Sequence, residues 1–363
     1  MSQAWHGGQL ERAAKTYGIP SDKFLDFSTN TNPFAPEIPP ELWANWREEA
    51  AHYPEPAADA VRSRLAEVFS MPENCLLPTA GGIEAIYLAA RLFTGKNVSV
   101  PVPAFSDYQR ALNAAGARVQ TVPLSSAGKQ APFREIAEQT AGFDAVFFGN
   151  PNNPTGFFYS REEMMDIIRH AGTNGQSWVV DEAFVDFVSG GEGESLRSVI
   201  RDCPNLIVAG SLTKFWSIPG LRLGFLATGN EAWHDTLAAL QPPWSVSALG
   251  AAWTRDCLTP QTFRQLRACL PAITSLRRDL SEALHAHTPI RACPSHTNFL
   301  LLDLLQTGQT SGDVTDQLGR QGILVRNCDS FEGIESGRFL RVQVREAADN
   351  AILLALLKRL KRR

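Results

Sequence analysis

The sequence predicts an α/β fold, with a doubly wound, mostly parallel sheet in a large domain and a smaller α+β domain after it. Short apolar runs alternate with helical patterns through the middle of the chain. The length, 363 residues, exceeds what one hydrophobic core usually fills. The last third changes character, with long helices followed by separate apolar runs. The expected bounds are an N-terminal arm at 1–29 that is part of the small lobe, a large domain at 30–255 and a small C-terminal domain at 256–363.

The first forty-odd residues hold two proline clusters and no long periodic element, as expected of an arm packed on another surface. Asn97–Pro101, Ala145–Asn150, Ser177–Asp181 and Leu206–Gly210 read as buried strands, and Arg222–Thr228 adds another. Between them, segments such as Arg161–Ala171 carry apolar residues at helical spacing. Downstream, Ser247–Cys257 and Phe263–His285 read as long helices. Apolar runs at Thr297–Leu302, Gly322–Val325 and Phe339–Val344 supply the second lobe.

A net charge of -4 gives no electrostatic reason to expect nucleic acid or an anionic membrane as partner. The basic end, Lys358 to Arg363, reads as a last helical turn with cations at the negative end of the dipole. The six cysteines form no Cys-x-x-Cys pair and no zinc spacing with histidine. Cys75 and Cys328 read as packing residues, since no partner base is evident. His285 and His287 splay apart on a helix, so no metal is expected. The start of the chain lacks a secretion signal and no apolar run spans a bilayer, so the expected location is cytoplasmic, with reduced thiols.

In open α/β sheets, ligands sit beyond the carboxyl ends of the strands. Three expected strands end in polar residues there. One runs into Asn150-Pro-Asn-Asn-Pro-Thr-Gly156, another ends at Asp181-Glu-Ala-Phe184, and a third runs into Ser211-Leu-Thr-Lys214. Singly, each is explained by a turn or a helix cap. Together they offer an amide, a carboxylate and an amine to one crevice, and pyridoxal phosphate needs all three. An ionised Asp keeps the pyridine nitrogen protonated, a Lys amine condenses with the aldehyde and moves protons at the substrate's α-carbon, and an Asn donates to the phenolic oxygen. Ser211, Thr213 and Arg222 fit the needs of the phosphate. Gly81 and Gly82, before an apolar helical pattern, would let backbone amides at a helix N-terminus approach it.

These three segments, the last continuing through Phe215-Trp-Ser-Ile-Pro-Gly-Leu-Arg-Leu-Gly224, resemble the class I/II aminotransferase superfamily of fold-type I pyridoxal-phosphate enzymes. The chain most resembles its histidinol-phosphate aminotransferase branch, and within it the threonine-phosphate decarboxylases of cobalamin biosynthesis. The likeness runs from His6-Gly-Gly8 through Asp26-Phe-Ser-Thr-Asn-Thr-Asn-Pro33 to Arg341-Val-Gln-Val-Arg345. It implies that Lys214 is the cofactor lysine, Asp181 the pyridinium partner and Asn153 the phenolic-oxygen donor. It also implies that Ser211, Thr213 and Arg222 are phosphate ligands and that Phe105 stacks on the ring. Tyr53 would reach the cofactor phosphate of a neighbouring subunit, which implies a homodimer. Arg341 would bind the substrate's carboxylate end, and His6, Gly7, Asn30 and Arg326 would be further substrate contacts.

Two features tilt the resemblance toward decarboxylation of O-phospho-L-threonine. Aminotransferases of this branch usually have Tyr where this chain has Phe184, and the His6-Gly7-Gly8 motif matches the decarboxylases. One departure opposes it. The decarboxylases often carry an Asn-Gly-Glu-type phosphate loop, whereas Thr79-Ala-Gly-Gly82 keeps backbone amides and removes side-chain donors. The alternatives are a histidinol-phosphate-type aminotransferase and a non-catalytic partner in cobinamide synthesis.

Overall fold

A computed structural model describes residues 7–124 and 128–359 of the chain. A short strand, β1 (Leu25–Asp26), comes first, and the central sheet follows from seven segments. These are β2 (Leu76–Thr79), β3 (Asn97–Val102), β4 (Arg118–Pro123), β5 (Ala145–Gly149), β6 (Ser177–Asp181), β7 (Leu206–Ser211) and β8 (Gly224–Thr228). Their spatial order is β2-β8-β7-β6-β5-β3-β4, with β8 antiparallel to both of its neighbours.

The apolar runs are continuous because helices cover both faces of this sheet. Within β5, Val146 and Phe148 pack into one core while Ala145 and Phe147 pack into the other. The first core is closed by helices that include Asp59–Phe69 and Arg161–Thr173. The second is closed by Gly82–Arg91 and Asp107–Ala114. Trp46 is fully buried in the first core and its indole donates to Asp256 (2.8 Å), while its edge-on neighbour Trp43 stays largely exposed.

Beyond the central sheet, β9 (Arg291–Ala292), β10 (Phe299–Asp303), β12 (Arg326–Asn327) and β13 (Phe339–Gln343) form an antiparallel sheet ordered β12-β13-β10-β9. The intervening strand β11 (Ile323–Leu324) pairs in parallel with β1, and Phe27 is buried in the same core, so residues 25–27 pack with this lobe. Phe263–His285 is not one helix. It divides into Pro260–Arg267 and Leu270–His287, with Pro271 in the first turn of the second, where its missing N–H leaves no bond unmade. Phe263, Leu266, Leu270 and Ile273 pack into the core of the large sheet. Among the described residues no helix is long and apolar enough to cross a membrane.

Candidate active site

A cavity of about 530 Å³ lies beyond the carboxyl ends of β5, β6 and β7, between the large sheet and the smaller lobe. It is lined by Lys214, Asp181, Asn153, Ser211, Thr213, Arg222, Phe105, Arg326 and Arg341, and by Gly7, Asn30 and Gly82. Residues separated by up to hundreds of positions in sequence thus share one space. His6 lies outside the described residues.

Lys214 follows β7 on the short helix Leu212–Phe215, and its Nζ donates to the carbonyl of Thr29 (3.0 Å). Asn32 clamps the lysine's backbone, its N–H bonding the Lys214 carbonyl and its amide the Phe215 carbonyl, each at 3.0 Å. Burial lowers the lysine's pKa to about 8, and repulsion from Arg341 and Arg222 adds to the effect. At neutral pH the amine is still mostly protonated, but its free-base share is far above that of an ordinary lysine, which favours its use as a nucleophile.

Asp181 ends β6 and lines the cavity. Oδ1 accepts from the Ala183 N–H (2.9 Å) and Oδ2 from the Tyr108 hydroxyl (2.8 Å). Burial raises its pKa, and these two donors oppose the rise. The adjacent Glu182 points away into a buried network. It accepts from Ser195 and the Leu196 N–H, beside an Arg197 that pairs with Asp186. That network fixes the chain after β6, so of the Asp181–Glu182 pair it is Asp181 that lines the cavity.

The asparagines of the Asn150–Gly156 turn divide their work. Asn150 and Asn152 are buried and bond the turn itself and its surroundings, through Tyr159, Pro103 and Thr155. Asn153 reaches the cavity, where its Oδ1 accepts from Arg341 Nη1 (2.6 Å).

One end of the cavity has the form of an anion cradle. The hydroxyls of Ser211 and Thr213 are 2.9 Å apart. Helix Gly82–Arg91 starts beside them. Gly81 has φ +81°, and a Cβ there would stand 2.6 Å from the Arg222 guanidinium. Glycine is thus required twice over, for conformation and for the arginine's approach. A side chain at Gly224 would meet the Gly81–Gly82 backbone at 2.5 Å, so that glycine also keeps the cradle in place.

The opposite end belongs to the smaller lobe. Arg341 donates to the Ser28 carbonyl (2.7 Å), and the Asn30 amide lies 3.0 Å from its Nε, where its oxygen accepts when the amide is turned to face the guanidinium. Arg326 donates to Ser330 (2.7 Å) and lies over the Phe331 ring. Burial and the nearby Arg326 lower the Arg341 pKa to about 10, and burial lowers that of Arg326. Gly7 packs so closely that a Cβ would lie 2.1 Å from the Ser28 carbonyl oxygen.

Phe105 lines the cavity with its ring edge-on to Tyr108, and Phe184 lines it while packing edge-on against Phe299. Tyr53 stands apart: it is 85% exposed, with its ring against Trp244, and does not reach its own chain's cavity. Cys75 and Cys328 are buried. His285 accepts from the Ala292 N–H (3.0 Å), and no cluster of metal-ligand type occurs among the described residues. Tyr108 and Phe331 also line the cavity without a motif to announce them, and so do Asp26 and Ser28, which lie in the Asp26–Pro33 segment but were given no role there. For Tyr108 a signal existed in its place three residues after Phe105, one helical turn further on.

The family profile described as Aminotransferase class I and II matches residues 22–359. The threonine-phosphate decarboxylase of Salmonella typhimurium is 31% identical over 355 residues, covering 97% of this chain and 95% of the relative. A histidinol-phosphate aminotransferase of Stutzerimonas stutzeri is 28% identical, covering 97% and 93%. Among solved structures, the L-threonine-O-3-phosphate decarboxylase of Porphyromonas gingivalis superposes with a TM-score of 0.79 at 25% identity, covering 92% of this chain and 98% of that one. The histidinol-phosphate aminotransferase of Clostridium acetobutylicum superposes with 0.81 at 24% identity, with the same coverage.

Proposed function

This chain belongs to the family of class I and II aminotransferases, and on that premise we propose that it is a pyridoxal-phosphate-dependent decarboxylase of O-phospho-L-threonine. The product is (R)-1-aminopropan-2-ol O-phosphate, the linker of the corrinoid nucleotide loop. One observation carries the reading. Arg326 and Arg341, both buried, enter the Lys214 cavity with no carboxylate in ion-pairing reach among the described residues. Two cations that feel Asp26 and Asp107 only from beyond contact suit a small substrate with an anion at each end. The relative at 31% identity supports the same choice.

The residues present fit the cofactor. A cavity with a lysine amine of lowered pKa, a carboxylate held by two neutral donors and a hydroxyl, glycine and guanidinium cradle matches an aldehyde, a pyridine nitrogen and a phosphate. When bound, pyridoxal phosphate supplies an electron sink for the pair left at the substrate's α-carbon. Lys214 would hold the aldehyde and Asp181 the ring-nitrogen proton. Asn153 would face the phenolic oxygen, and Ser211, Thr213, Arg222, Gly81 and Gly82 the phosphate. Phe105 would cover a ring face.

With the cofactor bound, the substrate bond that breaks would be the one its contacts hold perpendicular to the conjugated ring. The contacts at the substrate's two anions therefore choose between losing carbon dioxide and losing a proton. Arg341, Arg326, Asn30, Gly7 and His6 are proposed to turn the carboxylate out of plane, so that remote binding becomes orientation. Lys214, as the ammonium, would then be the group placed to return a proton to the α-carbon. Phe184 lacks a hydroxyl to donate toward the phenolic oxygen, which sets this site apart from an aminotransferase carrying tyrosine there.

Tyr53 is proposed to complete the phosphate site of a second copy in a homodimer, consistent with its exposure. The second reading is amino transfer from histidinol phosphate, supported by relatives of that name. The convergence of Lys214, Asp181, Asn153 and Arg222 argues against a non-catalytic partner role. Purified protein loaded with pyridoxal phosphate decides the matter. It should release carbon dioxide from phosphothreonine faster than from phosphoserine or threonine. Glutamate formed from 2-oxoglutarate and histidinol phosphate, without carbon dioxide release, would replace this reading with the second.

A further inference from the structure

Asp181 is held by more than its strand. Phe105 lines the cavity, and the chain turns directly into helix Asp107–Ala114, whose first turn carries Tyr108 inward. The phenol is 2% exposed and ends 2.8 Å from Asp181 Oδ2. With the Ala183 N–H on Oδ1, each carboxylate oxygen has its own donor, which fixes the side chain's rotation. Burial, Asp181 and Asp107 all raise the phenol's pKa, so it stays protonated and acts as a donor only. A neutral donor stabilises the carboxylate without cancelling its charge, as an arginine or lysine would.

Space for that hydroxyl has a visible origin. Gly149 is the register partner of Asp181 in the parallel β5–β6 pair. Its backbone has no positive φ, so conformation does not call for glycine. A Cβ at this position would lie 2.9 Å from the Tyr108 hydroxyl oxygen, closer than real Cβ contacts come. The missing side chain leaves room for the oxygen.

We infer that Tyr108 is a positioning residue for the cofactor, its hydroxyl holding Asp181 ionised and facing the cavity in the space that Gly149 leaves open. The inference rests on the pyridoxal-phosphate reading. Burial alone drives Asp181 toward its neutral form, which would leave a pyridine nitrogen without its proton and weaken the electron sink. Removing one of two donors to a buried carboxylate removes a charge-assisted bond.

The test uses the full chain loaded with pyridoxal phosphate labelled with ¹⁵N in the ring, and reads the nitrogen's chemical shift together with the cofactor's dissociation constant. The wild type should show a protonated ring nitrogen. Tyr108→Phe should move the shift toward the unprotonated value and weaken cofactor binding roughly ten-fold, with kcat falling more than KM rises. Gly149→Ala should act in the same direction, and should add little when Tyr108 is already Phe. A wild-type shift and affinity in Tyr108→Phe, or penalties of the two substitutions that simply add, would overturn the inference. Wild-type protein that takes up no pyridoxal phosphate would overturn the cofactor reading itself, a distinguishable result.

Discussion

Arg326 and Arg341 are register partners on β12 and β13, only 5% and 6% exposed, and among the described residues no carboxylate lies within ion-pairing distance of either. Two buried like charges on facing positions repel, and each has lost water. Such an arrangement is costly for the folded protein and useful only when anions arrive. Arg326→Gln should therefore lower kcat/KM for phosphothreonine by roughly 10²-fold or more. Cofactor affinity should stay within a few-fold, and the melting temperature should hold or rise. Steady-state kinetics and thermal melts check both halves, and an unchanged kcat/KM would remove Arg326 from the substrate site.

Lys214 makes a pH-dependent claim. Its folded pKa, about 8, lies below the ordinary 10.5, so above pH 8 the unfolded chain binds the extra proton. Stability thus rises with pH between those values, and below pH 8 the full penalty of burying the ammonium is present. Melts of the cofactor-free protein should show Lys214→Met more stable than wild type near pH 7, with the gap narrowing toward pH 10. A gap constant across that range would mean that burial does not perturb the amine.

Tyr53, exposed and away from its own cavity, predicts complementation between subunits. Lys214→Ala and Tyr53→Ala variants, each with little activity, should regain activity when unfolded and refolded together. In the mixed dimer, the Lys214-bearing site receives an intact tyrosine from the other subunit. No recovery in dimers verified as mixed would confine Tyr53 to another role.

Phe184 packs edge-on against Phe299 at the cavity wall. Phe184→Tyr would add a donor toward the phenolic oxygen and is expected to raise the ratio of amino transfer to carbon dioxide release. Both products can be measured from one incubation with phosphothreonine and a 2-oxo acid. An unaltered ratio would leave Phe184 as packing alone.

The strands that deliver Asn153, Asp181 and Lys214 were legible because both of their faces are buried, which makes each an unbroken apolar run. β2 and β4 were not. Leu76–Thr79 contains a proline, and Arg118–Pro123 is an edge strand whose half-exposed alternation is easily read as loop. The division of the helix at Cys269 was hidden because apolar spacing continues across it. Tyr108 stands one helical turn after Phe105, but that spacing does not name its partner, which is Asp181 across 73 positions. Arg326 and Arg341 were placed by resemblance. Their facing register is a property of the folded sheet.

The reaction itself leaves an isotopic record. With the holoenzyme and phosphothreonine in deuterium oxide, decarboxylation with proton return from Lys214 places one deuteron at C1 of the aminopropanol phosphate. Unreacted phosphothreonine keeps its α-proton. Mass spectrometry and proton NMR of that single incubation should find this pattern. Phosphothreonine that exchanges its α-proton without losing carbon dioxide would contradict the account.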